Sequence, residues 1–91
     1  MAEEYEYEYV GSVTHFFDRL SVAVVQLKND LYLEDWVLFY GPHTNFDQQV
    51  RSMQINRQAI DKGVAGEEIA IKVDSPVRSG DEVYLIVNMD A

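Results

Sequence analysis

The sequence predicts an all-β fold, a small closed antiparallel β-barrel of six or seven strands, on three observations. A small or flexible residue runs into a carboxylate and then into alternating apolar side chains three times over: Leu33-Glu34-Asp35-Trp36-Val37-Leu38-Phe39, Ala65-Gly66-Glu67-Glu68-Ile69-Ala70-Ile71 and Ser79-Gly80-Asp81-Glu82-Val83-Tyr84-Leu85. Each copy reads as a tight turn feeding a strand, because glycine supplies positive φ, the acid bonds nearby backbone N–H groups, and a period of two marks a half-buried sheet. Short turns separate the other extended runs, and no stretch carries the period of an amphipathic helix. Many strands joined by short turns remove their exposed edges by closing into a barrel.

The first element alternates Tyr5, Tyr7 and Tyr9 against Glu4, Glu6 and Glu8, a strand with an aromatic face and a carboxylate face. It continues through Val10, Gly11, Val13 and Phe16. Gly11 inside so long a strand predicts a bend or bulge. Asp18 to Ser21 form a turn, and Val22 to Leu27 are apolar at nearly every position, as in a strand covered on both faces at the centre of a sheet. Lys28-Asn29-Asp30 turns the chain, with Asn29 the residue most able to enter the left-handed region. After the first repeated unit comes a loop from Gly41 to Asn45. Phe46 to Ile55 resumes in extended form, with apolar positions shifting from even to odd near Ser52, as one inserted bulge residue at a barrel corner would produce. Asn56 to Val64 is open to two readings: a short strand through Ala59 and Ile60, or a turn or single helical turn ended by Gly63. The second unit ends in Val73, Asp74-Ser75-Pro76 forms a loop, and the third unit carries the last strand to about Val87. The expected organisation is an acidic Tyr/Glu strand extension over residues 1–8 and a single barrel domain over 9–91.

With 91 residues, 47% of them hydrophobic, the chain suffices for one core. No stretch approaches the roughly 20 apolar residues of a membrane helix, and MAEEYEYEYV lacks the basic start and apolar middle of a secretory signal. The absence of cysteine excludes disulfide staples and fits a reducing cytoplasm, the expected location. Sixteen acids against seven bases give a net charge of -9. Affinity that comes from neutralising phosphates needs the opposite sign. Weak or no binding of free nucleic acid is therefore expected, and the partner is a protein or a ribonucleoprotein assembly that supplies the cations.

Candidate chemistry is sparse. No G-x-x-x-x-G-K-[ST] run exists to cradle a triphosphate, so the chain is no GTPase. His15 and His43 lie far apart without ligand spacing, so neither metal nor cofactor is expected. Ser12, His15 and Asp18 do not make a triad, since Ser12 and His15 point to opposite faces of a strand unless a bulge intervenes. The Tyr5-Tyr7-Tyr9 ladder reads as core or interface packing ahead of a base-stacking platform, and Trp36 as a residue at the end of the core ahead of an interface anchor. Arg51 and Arg57, if they share a face with Gln54, make a small polar and basic patch on an acidic body.

The order VGSV, AVVQLKNDLYLEDWVLFYG, SMQINRQAIDKGVAGEEIAIKV, VRSGDEVYLI resembles the second, β-barrel domain of translational GTPases such as elongation factor Tu. It is also similar to the small C-terminal barrel of collagenase-like peptidases. The likeness runs from about Tyr9 to Ile86. It implies a translation-protein type of barrel in which the position facing the terminal adenosine of aminoacyl-tRNA falls on Gln54, the following aromatic position on Asn56, and a matching arginine on Arg57. Binding residues on this reading are Arg51, Gln54, Asn56 and Arg57. The implied function is a non-catalytic, stand-alone binding module of translation or tRNA handling. The alternative is an accessory subunit that docks onto a separately encoded collagenase-like peptidase.

Overall fold

The computed structural model describes residues 4–88. Within them run β1 (Tyr5–Phe17), β2 (Val22–Leu27), β3 (Leu31–Tyr32), β4 (Trp36–Gly41), β5 (Thr44–Gln49), β6 (Met53–Ile55), β7 (Gln58–Ile60), β8 (Lys62–Gly63), β9 (Glu68–Lys72) and β10 (Glu82–Asn88). Eight of them form one antiparallel sheet in the order β5-β4-β10-β1-β2-β9-β6-β7, and β3 pairs with β8 in a separate ribbon. No helix among the described residues is long and apolar enough to cross a membrane.

Alternation places the core. Ala23, Val25 and Leu27 of β2, Val37 and Phe39 of β4, Ile69 and Ile71 of β9 and Val83 of β10 all point to one buried side. Phe39 stacks on Phe46 with ring centroids 5.2 Å apart. β2 lies well inside the sheet, as expected, but Val22 and Val24 on its other face are only half-buried, so it is sealed on one side.

The sheet is all-β but open, which corrects the expected closed barrel. Its outer strands β5 and β7 do not pair with each other. The physical reason lies at residues 50–52. Phe46 to Ile55 is not one bulged strand: β5 pairs with β4 and stops at Gln49, and β6 pairs with β7 and β9. The chain thus leaves one edge of the sheet and joins the other. Where β5 approaches the end of β9, a side chain replaces the missing ladder. Gln48 is buried, its amide donates to the Lys72 carbonyl at 2.9 Å, and its carbonyl accepts from the Asp74 N–H at 2.7 Å. An exposed Arg51–Asp74 ion pair spans the same seam.

All three repeated turns use one device. Tyr32 N–H donates to Asp35 Oδ2 (2.9 Å), Val64 N–H to Glu67 Oε1 (2.8 Å) and Arg78 N–H to Asp81 Oδ2 (2.8 Å). Each acid returns its own N–H to the carbonyl of the same residue, at 3.1, 3.0 and 3.0 Å. The residue before each acid has positive φ: Glu34 at 75°, Gly66 at 96° and Gly80 at 95°. Glycine is at ease there, whereas the Cβ of Glu34 meets the left-handed penalty. Glu34→Gly is therefore expected to stabilise the domain by about 0.5–1 kcal/mol, read as a higher urea midpoint at unchanged slope. A lower midpoint would show that the glutamate side chain contributes more than its backbone costs.

Candidate functional site

The face of the sheet turned away from the core is aromatic over β1, β10 and β4. Directly opposed residues in an antiparallel pair share a face. Tyr7 faces Ile86, Tyr9 faces Tyr84, Tyr84 in turn faces Leu38, and Leu38 faces Asp47 of β5. Two-residue periodicity adds Tyr5, Trp36 and Tyr40 to the same surface. Tyr7, Trp36 and Tyr40 are 54%, 51% and 50% exposed. Tyr9 and Tyr84 meet edge to face with centroids 5.8 Å apart. The Tyr84 hydroxyl donates to Glu82 Oε1 at 2.8 Å, a bond that holds the phenol above its ordinary ionisation range. Tyr5, Tyr7, Trp36, Ile86, Asn88 and Asp47 line a groove of about 500 Å³. Contiguous exposed apolar patches are, as a class, enriched at sites of association with proteins, membranes or ligands.

The strand pairing explains why the groove sits there. β4 reaches along β10 only as far as Leu85, and β2 begins along β1 only at Gly11. Tyr5 to Tyr7 and Ile86 to Asn88 therefore continue past the body as a two-stranded ribbon. A bulge between Tyr9 and Gly11 marks where it leaves, in accord with the bend expected at Gly11.

Trp36 is a correction: at half exposure it is not a residue at the end of the core but part of this surface. The missed signal was in the runs WVLFY and VYLIV, which are apolar at consecutive positions. Such a strand has two apolar faces, and the core covers only one.

The four residues expected to bind lie toward the other edge of the sheet. Gln54 is exposed on β6, and Asn56 and Arg57 form the two-residue tip of the β6–β7 hairpin. Both tip residues have positive φ, 50° and 65°, the geometry that the right-handed twist of a hairpin demands. Arg51 precedes β6 and is turned onto Asp74. The hairpin thus groups Gln54, Asn56 and Arg57, while an acid occupies the Arg51 guanidinium. Elsewhere, a second bulge between Val13 and His15 puts Ser12 and His15 on one face after all. His15 there packs against the Phe17 ring at 5.0 Å, and His43 lies in the turn between β4 and β5. Among the described residues no group of three or more His, Cys, Asp or Glu is placed to hold a metal ion.

Fold and surface together define a small all-β domain built around one core and carrying an exposed aromatic face. The chain belongs to the peptidase family U32 C-terminal domain, whose family model matches residues 5–83. It is 36% identical over 86 residues to an uncharacterized protease of Methanocaldococcus jannaschii, covering 93% of this chain and 21% of that protein. It is 32% identical over 78 residues to a collagenase of Porphyromonas gingivalis, covering 84% of this chain and 22% of the collagenase. The chain thus spans about a fifth of the length of the curated relatives it matches. Crystal structures of the C-terminal domain of a Geobacillus thermoleovorans protein named as a U32 peptidase superpose with TM-scores of 0.81 and 0.79, at 23% and 24% identity. They cover 86% and 84% of this chain and 91% and 96% of those chains, a likeness of fold.

These matches overturn the expected role in translation or tRNA handling. The family and the relatives are those of peptidases, so of the two resemblances drawn from the sequence the collagenase-like one stands. The elongation-factor pattern thinned at the residues that carry its ligand, Gln54 and Asn56. Turn chemistry and apolar alternation are scaffold features that unrelated functions share.

Proposed function

We propose that this chain is a non-catalytic accessory domain of a collagenase-like peptidase system, docking onto a separately encoded peptidase unit through its aromatic sheet face. The family match over residues 5–83 carries the reading. In the relatives the matched region is accompanied by about four times its own length of further chain, and the aromatic face is the surface that such a unit would cover. Peptide-bond cleavage belongs to the partner on this reading.

The test is sedimentation of this chain with the collagenase-like peptidase of the same organism. A complex at micromolar concentration is expected, and Tyr7→Ser with Trp36→Ser should weaken it at least about tenfold, as buried aromatic anchors do. Both side chains are about half exposed, so circular dichroism should confirm that the variant still folds. Absence of a complex with the unaltered chain would sink the proposal.

A further inference from the structure

From Glu6 to Tyr9 one side of β1 has no neighbouring strand. Over Glu6 to Tyr9 this strand pairs with β10 on one side, and on the other β2 begins only at Gly11; the Asn29 side chain reaches back to the Tyr9 carbonyl at 2.7 Å. An exposed strand edge is a template for another strand. Its two faces are chemically distinct: Tyr5, Tyr7 and Tyr9 on one, Glu4, Glu6 and Glu8 on the other, all exposed.

A second copy of this chain is a poor occupant. In antiparallel pairing, opposed residues share a face, so every register that sets tyrosine against tyrosine also sets glutamate against glutamate, and like charges directly opposed destabilise a sheet. Any register that opposes glutamate with tyrosine puts a charge on the aromatic face. The same logic specifies what does fit: a strand whose alternate residues are apolar, to lie along the tyrosines, and basic, to lie along the glutamates. The chain's net charge of -9 favours approach of such a segment.

We propose that the open edge of β1 over Glu6 to Tyr9 captures an extended segment of the partner polypeptide with alternating basic and apolar residues, adding it as a further strand of the sheet. Main-chain hydrogen bonds supply affinity and the alternating pockets supply specificity. This rests on the docking reading above only for the source of the segment.

The probe is a capped peptide alternating lysine and valine, titrated into the isotopically labelled chain while backbone amide resonances are followed. Saturable shifts centred on Glu6, Tyr7, Glu8 and Tyr9 are expected, with new protection from hydrogen exchange at the alternate amides among them that point away from β10. A peptide of the same composition with its lysines and valines in separate blocks should bind at least about tenfold more weakly, because alternation is what matches the two faces. Glu6→Lys with Glu8→Lys should reverse the preference, so that a glutamate–valine peptide binds in place of the lysine–valine one. These glutamates are exposed, so the fold is not at stake. Equal binding of block and alternating peptides, or shifts confined to Trp36 and Tyr40, would overturn strand addition, as would no binding at all. Failure here with an intact peptidase complex removes only this inference, whereas peptide capture without that complex removes only the docking reading.

Discussion

Replacing Gln48 with alanine is expected to cost the domain about 3 kcal/mol, because it opens a cavity and strands the groups that bridge the seam between β5 and β9. Gln48 is only 2% exposed, and its side-chain amide also reaches the Gln49 carbonyl at 3.3 Å. Removing it leaves the Lys72 carbonyl and the Asp74 N–H without their partner in a part-buried seam. Gln48→Met separates the two effects: it nearly conserves volume and loses only the hydrogen bonds, so about 1–2 kcal/mol is expected. Urea denaturation measures both. A cost for alanine below about 1 kcal/mol would mean that the seam does not depend on this side chain.

The second large effect is expected at Asp81, again about 3 kcal/mol on replacement by alanine. All three turn acids cap a backbone N–H, but only Asp81 is buried, at 3% exposure. Its Oδ2 accepts from the buried Thr44 hydroxyl at 2.5 Å as well as from the Arg78 N–H. Gly41 makes room for it, since a Cβ there would lie 2.0 Å from Asp81 Oδ1. Alanine therefore orphans two donors, one of them sealed from water. Asp35 and Glu67 are partly exposed, and alanine at either should cost only about 1 kcal/mol, the worth of a solvated cap. Asp81→Asn keeps an acceptor oxygen and should fall between. Equal losses at the three turns, measured by the same denaturation, would show that burial of Asp81 adds nothing to the shared device.

These effects mark the boundary of what the sequence could show. Turns were legible because their chemistry is local: Gly66 and Gly80 with the acids that follow them declare φ and hydrogen bond within four residues. Glu34 broke the glycine pattern and adopts the same left-handed conformation, since the bonds around Asp35 hold the turn in shape. The β5–β6 break was not legible. Phe46 to Ile55 shows only a shift of apolar parity, and parity cannot distinguish one extra residue in a strand from a chain that leaves one sheet edge for the other. Closure misled for a related reason: short turns predict many strands, whereas joining the last edges depends on contacts such as Gln48 with Lys72, 24 residues away. The aromatic surface was half visible in the Tyr5-Tyr7-Tyr9 ladder, and its extension through Trp36, Tyr40 and Tyr84 required knowing that β4 and β1 flank the same strand, β10.

That placement of β10 has a consequence for how the molecule is made. The last strand lies between β4 and β1, so the β4–β5 hairpin has no strand of the sheet to pair with until the chain is synthesised through Glu82 and beyond. Before then Val37 and Phe39 lack the neighbour that covers them in the finished sheet. Folding must wait for a contact between the first strand and the last, a loop closure across nearly the whole chain, which places the domain among the slower folders of its size, in roughly the millisecond-to-second range. Its nascent chain spends that interval with apolar strands uncovered.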